Sequence, residues 1–299
     1  MTVVVSPLTP GFGAEIAGID LRRPLDEGHF EVIEDAFNRF SVLVFVEQEL
    51  TDQQQIDFSQ LFGPLESSVT AIRRDTKSRL PRSELAEVSN LDENNEILGA
   101  DDRRRMYNLG NQLWHTDSSF KRVPARASLL YARSVPPYGG CTEFADLRAA
   151  YDALPEDMKR KLEGLVAEHS IFCSRAKTGF TNFSPEEREQ LPPVPQVVVR
   201  THPGSKRRTL YIASHADHII GWPLEEGRKL LAELIAHATQ RQFVYTHRWR
   251  VNDLVMWDDR CTMHRGRPFD DLKYKRNVQR TTVSDELTTI EREGIRLVA

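Results

Sequence analysis

His115 and Asp117 stand two residues apart in Trp114-His115-Thr116-Asp117. On a strand, positions i and i+2 point to the same face, so this imidazole and carboxylate could hold one metal ion between them. His-x-Asp arises by chance in many chains. It carries weight only with a third ligand and a group for the metal to act on. His264 is a candidate third ligand. There the apolar run Leu254-Val255-Met256-Trp257 enters the polar Asp258-Asp259-Arg260, and the histidine follows. Farther on, Arg276 and Arg280 are four apart on a segment with strand character, so both could face one side.

Two histidines and one carboxylate make a facial triad, which leaves adjacent positions of an octahedral ion open and suits non-haem Fe(II) oxygenases. A 2-oxo acid can chelate two of those positions and O2 can take another. The far carboxylate of such an acid needs a fixed cation, and arginine offers a planar bidentate partner. Arg276 meets that need. Lys275 is the competing cation, and bidentate geometry together with the spacing to Arg280 favours the arginine. The remaining histidines need no such role. His29 falls at a polar helix start, His169 at a helix end, His237 on a helix and His247 on a strand. His202, His215 and His218 lie near turns that could approach a pocket. Trp114 and Trp257 read as packing beside the site.

The chain has 299 residues, enough for a sizeable core, and a net charge of -4, too small to argue for a nucleic-acid or membrane partner. Its three cysteines, Cys141, Cys173 and Cys261, show no CxxC spacing. That argues against a disulfide framework or zinc finger and for a reducing compartment. The N-terminal apolar stretch is too short for a signal peptide or a span. A cytoplasmic protein is expected, with homo-oligomerisation left open.

Phe30, Ile33, Phe37 and Phe40 predict an amphipathic helix over residues 27–40, and the run 41–46 predicts a strand buried on both faces. Thr51 and Gln54 form a capping-box pair, and Gly63-Pro64 stops the helix that follows. Residues 66–110 are polar and charged with little periodicity, apart from a short strand near Glu87–Leu91. A run of that length leading into His115 is expected to be an active-site lid; a solvated loop is the plain alternative. Arg73 and Arg103 to Arg105 within it are candidates for an anion contact or for solvated charge. Further strands are expected near 127–135, 196–200, 209–213, 243–249, 254–257 and 278–283, with helices at 144–153, after an N1 proline at Pro155, and at 224–238. Residues 174–195 read as a charged loop. Short strands with Pro/Gly turns and no regular βαβ alternation predict a mainly β jelly roll with flanking helices, in one domain over 1–299.

The chain resembles the Fe(II)- and 2-oxoglutarate-dependent taurine and 2,4-dichlorophenoxyacetate dioxygenase family along nearly its whole length. The resemblance rests on Gly18 to Leu21, Phe62-Gly63-Pro64-Leu65, Asn111 to Phe120, Gly139 to Phe144, Trp257 to Arg265 and Arg276 to Thr282. The phenoxyacetate branch is the closer one, through Asn111 to Phe120, Ala149 to Leu154 and His237-Ala238-Thr239. The resemblance implies a double-stranded β-helix, a cupin-like jelly roll. It implies Fe(II) on His115, Asp117 and His264, with 2-oxoglutarate held by Arg276 and Thr142 and with O2 as oxidant. Asn111 would line the pocket and Arg280 would meet an anionic group of a small-molecule substrate, unless it forms only a structural ion pair. Hydroxylation beside an aryl ether oxygen would release a phenol and a 2-oxo acid; an alkylsulfonate such as taurine would release sulfite. The lid matches the family poorly, so it says least about substrate. A zinc hydrolase and a non-catalytic jelly-roll binding protein are the rival classes. Paired arginines and an intact ligand set argue against both.

Overall fold

The computed structural model describes residues 2–67, 80 and 82–296. Its larger sheet has seven strands, in the spatial order Val4–Pro7, Ala14–Ala17, Val42–Phe45, Leu254–Asp258, Ala125–Ser134, Asn277–Ser284 and Ala86–Ser89. Every pairing is antiparallel except Ala14–Ala17 with Val42–Phe45. Facing it, Thr142–Asp146 pairs with both Val244–His247 and Thr262–Gly266. A further three-stranded sheet joins Ala216–Ile219, Val166–His169 and Val194–Val197, and Val199–Thr201 pairs with Arg208–Leu210. The result is a double-stranded β-helix with helices on its outside.

Period-2 alternation builds the layers. Leu43 and Phe45, Leu129 and Tyr131, and Leu254 and Met256 pack outward beneath the helices, against Ile33, Phe37 and Phe58. Their neighbours Val42, Val44, Leu130, Val255 and Trp257 face inward and meet Phe144 and Tyr245 of the smaller sheet. Both faces are therefore buried, which is why residues 41–46 carry no polar alternation. Helix Glu27–Phe40 starts at an Asp26 cap, and helix Leu224–Ala238 covers the smaller sheets through Leu230, Leu231 and Leu234. Among the described residues, no helix is long and apolar enough to cross a membrane.

Helix Asp52–Gln60 carries the capping box: Thr51 Oγ1 accepts from Gln54 N–H at 3.2 Å, and Gln54 Oε1 accepts from Thr51 N–H at 2.9 Å. Thr51→Ala is expected to lower unfolding free energy by about 1 kcal/mol in urea titration, with kcat unchanged.

Several elements differ from expectation. Residues 144–153 divide into strand Thr142–Asp146 and helix Leu147–Asp152, because Asp146 accepts from the N–H groups of Arg148 and Ala149 and starts the helix there. Pro155 is the N-cap of Glu156–Leu162 rather than its first residue. His169 ends a strand, not a helix. The stretch expected as a charged loop contains the end of helix Ile171–Ala176 and all of helix Pro185–Gln190, started by a Ser184 capping box. The polar turn after Trp257 is present at residues 259–261, and Thr262–Gly266, for which the sequence predicts no element, is a strand. Within 66–110, the expected strand is Ala86–Ser89, and helix Arg103–Asn108 runs into a 3-10 turn at Leu109–Gln112. Residues 68–79 and 81 of this stretch, Arg73 included, lie outside the described residues.

Candidate active site

The site forms where residue 115 joins the smaller sheet. His115 N–H donates to His264 O at 2.9 Å, and His264 N–H donates to His115 O at 2.7 Å. A pair that exchanges both hydrogen bonds presents its side chains on one face, and the two rings lie 4.1 Å apart between centroids. His115 and Asp117 do not share a strand: the bridge ends at His115, and Ser118 turns the chain at φ 54°. Asp117 still reaches the histidines, with Oδ2 3.8 Å from His264 Nε2. The ligand atoms of His115, Asp117 and His264 lie within 4.8 Å of one another, and all three residues are buried.

Each side chain is held from behind. His115 Nδ1 lies 2.7 Å from Leu113 O, so it carries the proton and Nε2 is left with a lone pair. Burial lowers its pKa to about 4, which keeps the ring neutral at pH 7. The His264 ring packs against Trp257 at 4.6 Å, and burial likewise holds it well below the usual imidazole range. Asp117 Oδ2 accepts from Ser128 Oγ at 2.9 Å, and Oδ1 accepts from Arg280 Nη1. Burial pushes the Asp117 pKa up, but the Arg280 charge and the two imidazoles outweigh it and set it at about 2. Asp259 anchors the turn, with Oδ1 accepting from Asp117 N–H and from Trp257 Nε1, both at 3.0 Å.

A cavity of about 300 Å³ is walled by residues that flank the cluster along the chain, Gly266 on the strand of His264 and Gln112 ahead of His115, and not by the three side chains themselves. Its wall includes Asn111, Gln112, Gly266, Arg105, Phe269 and Arg276. Arg276 is only 9 % exposed, its Nε has no partner, and burial lowers its pKa to about 10. Its backbone is pinned by Asn90: Asn90 Oδ1 accepts from Arg276 N–H at 2.8 Å, and Nδ2 donates to Asp271 O and Tyr274 O. Lys275 faces elsewhere. Its side chain is 42 % exposed, its Nζ lies 3.8 Å from Glu96 Oε1, and it donates to Asn95 O. Thr142 is buried opposite Gly266 and is not among the lining residues; its Oγ1 accepts from Trp249 Nε1 at 2.9 Å.

Arg280 is the larger departure. It lies on Asp117, so the structural ion pair is present, while its Nε remains buried without a partner. Arg103 pairs with Glu187, Arg104 with Asp102 and Arg105 with Asp271. Of the three turn histidines, His215 approaches the site, its ring 6.0 Å from that of His115. His202 is committed to Asp258 at 2.8 Å and His218 to Asp217 at 3.2 Å. Sequence reasoning missed Ser128, Asp259, Asn90 and Arg175. Ser128 acts through one hydrogen bond, Asp259 through two and Asn90 through three, and each of the three reaches a residue in another segment of the chain. Arg175 lay in a segment read as a loop.

The family model for "Taurine catabolism dioxygenase TauD, TfdA family" matches residues 5–282. The alpha-ketoglutarate-dependent 2,4-dichlorophenoxyacetate dioxygenase of Cupriavidus pinatubonensis is 49% identical over 286 residues, covering 96% of this chain and 99% of that protein. The (S)-phenoxypropionate/alpha-ketoglutarate-dioxygenase of Sphingobium herbicidovorans is 38% identical over 272 residues, covering 89% and 90%. The crystal structure of AAD-2 in complex with Mn(II) and N-oxalylglycine superposes with a TM-score of 0.88 at 45% identity, covering 97% of this chain and 99% of that one. With its jelly roll, its His-Asp-His cluster and these matches, the chain belongs to the TauD/TfdA dioxygenase family.

Proposed function

We propose that this protein is an Fe(II)- and 2-oxoglutarate-dependent dioxygenase acting on a small aryloxyalkanoate such as 2,4-dichlorophenoxyacetate. The observation that carries the reading is the buried His115–Asp117–His264 cluster, together with Arg276, which lies without a carboxylate partner in the wall of a cavity that reaches Gly266 on the strand of His264. The full-length relatives named for phenoxyacetate and phenoxypropionate support the substrate class. We take residues 1–299 as one catalytic domain of a cytoplasmic protein, with 66–110 as its lid.

The donor set suits Fe(II). Two neutral imidazoles and one ionised carboxylate leave adjacent coordination positions for a chelating acid and O2. His115 offers Nε2 because Leu113 O holds the other nitrogen, and Asp117 keeps a lone pair on each oxygen beside its single donor there. Bound Fe(II), with 2-oxoglutarate and O2, supplies oxidative decarboxylation to succinate and CO2, coupled to hydroxylation of a substrate C–H bond. Arg276 pairs with the far carboxylate of 2-oxoglutarate and orients it, and Thr142 donates its hydroxyl to the same group. Arg280 holds Asp117 through Nη1 and turns its remaining N–H groups to the substrate anion. Asn111 lines the substrate side. Hydroxylation next to the ether oxygen gives a hemiacetal, which collapses to a phenol and a 2-oxo acid.

Mixing the protein anaerobically with Fe(II) and 2-oxoglutarate is expected to give a weak visible charge-transfer band. A panel of phenoxyacetate, both phenoxypropionate enantiomers and taurine, read by succinate release, should then show phenoxyacetate turned over best. Absence of the band would sink the oxygenase reading. Preference for taurine, with sulfite release, would replace the substrate class by an alkylsulfonate.

A further inference from the structure

Arg175, on helix Ile171–Ala176, is 5 % exposed. The guanidinium carbon lies 4.4 Å from the centre of the Tyr107 ring. Gly110 is packed so closely against it that an added Cβ there would stand 2.1 Å from Nη1. Nε and Nη1 are buried without partners, and Nη2 donates to Asn111 Oδ1 at 3.1 Å. Among the described residues, Asn111 is the only hydrogen-bond partner of this guanidinium. A buried arginine with so few acceptors is costly to the fold.

A guanidinium has donors only, so an amide can meet it only through its oxygen. The orientation of the Asn111 amide is therefore forced: Oδ1 faces Arg175, and Nδ2 is left for the cavity that Asn111 lines. We infer that Arg175 is a positioning residue that locks the Asn111 amide so that its Nδ2 donor, rather than its oxygen, meets the substrate's anionic group. A flipped amide would aim a carbonyl oxygen at a carboxylate and repel it. Gly110 belongs to the same device, because a larger residue would push the guanidinium off Asn111. This inference rests on the proposed function, since it adds to Arg280 a second anion-recognising donor in that same site.

The test is steady-state KM for phenoxyacetate and for 2-oxoglutarate, with melting temperature, across four single variants and one double variant. Asn111→Asp keeps the shape and strengthens the contact with Arg175 but removes the donor. It should raise the phenoxyacetate KM about tenfold or more, as for loss of a hydrogen bond to a charged group, with the 2-oxoglutarate KM and the melting temperature held. Arg175→Met and Gly110→Ala should each raise the phenoxyacetate KM at least about threefold, the second without removing any charge. In an Asn111→Ala background, Arg175→Met should add nothing. An unchanged phenoxyacetate KM in Asn111→Asp overturns the inference, and decides the matter alone if Arg175→Met fails to fold. An equal effect of Arg175→Met with and without Asn111 also overturns it, by making Arg175 a direct anion contact. If the wild-type protein ignores phenoxyacetate, only the substrate reading fails. The same variant-to-wild-type ratios are then taken with the panel anion that does trigger succinate release.

Discussion

Replacing His115 by alanine is expected to abolish succinate formation and the metal-dependent rise in thermal stability together. Changes to groups that merely orient a metal ligand cost roughly 10–100-fold in affinity, so removing a ligand should cost more than about 100-fold. Mn(II) is a redox-silent probe for this site. At about 100 times its dissociation constant, it should stabilise the wild-type protein by about 2.7 kcal/mol; a 100-fold weaker site would gain only about 0.4 kcal/mol at the same concentration. His202→Ala is the informative control. His202 sits with Asp258 and Cys261 in a second His-Asp-Cys group, but Arg260 already donates to Asp258 through Nε at 2.8 Å and Nη2 at 2.7 Å. That group is a buried ion-pair network, so His202→Ala should lower the melting temperature and keep the Mn(II) shift. An Mn(II) shift retained by His115→Ala, or succinate made by it, would remove His115 from the ligand set.

The residue types of this site were legible in the sequence; the backbone that assembles it was only partly so. Helices 27–40 and 224–238 and the capping box at Thr51 follow from local pattern, because apolar periodicity marks the two helices and side-chain caps at Asp26 and Thr51 mark two helix starts. His115 and Asp117 were legible as ligand types, but the shared strand expected for them is absent. The pairing that matters is between His115 and His264, far apart in the chain, and no local period encodes it. Thr262–Gly266 was hidden for a related reason. It is buried by its partner strand Thr142–Asp146, so Thr262 and His264 look polar in sequence while lying in a core. The 144–153 error was avoidable in principle, since Asp146 before Leu147 is a helix start signal that outweighs the preceding apolar run. Asn90 and Arg175 left no signal, because each works through tertiary contacts with residues in distant segments.

Arg276→Ala is expected to raise the KM for 2-oxoglutarate by about 100-fold or more while leaving the fold as stable as before, or more so. Truncating one partner of a buried, hydrogen-bonded charge pair typically costs about 2–5 kcal/mol, and 2.8 kcal/mol is roughly 100-fold. Stability moves the other way. Without cosubstrate, burial lowers the Arg276 pKa to about 10, and Nε lacks an acceptor. Below that pH the residue is still a cation, so the unliganded fold carries an uncompensated buried charge that alanine removes. Arg276→Lys should recover only part of the affinity, because an ammonium cannot reproduce the planar two-point contact with a carboxylate. Lys275→Ala provides the sharpest contrast. Its ammonium is satisfied by Glu96 and Asn95 at the surface, so its loss should leave the 2-oxoglutarate KM within about twofold, in line with the small worth of exposed pairs. Isothermal titration of 2-oxoglutarate into the Mn(II)-loaded protein would read both variants directly. A dissociation constant unchanged in Arg276→Ala, or one that weakens in Lys275→Ala instead, would move the cosubstrate's anchor off Arg276 and reopen how the cavity that Arg276 lines is used.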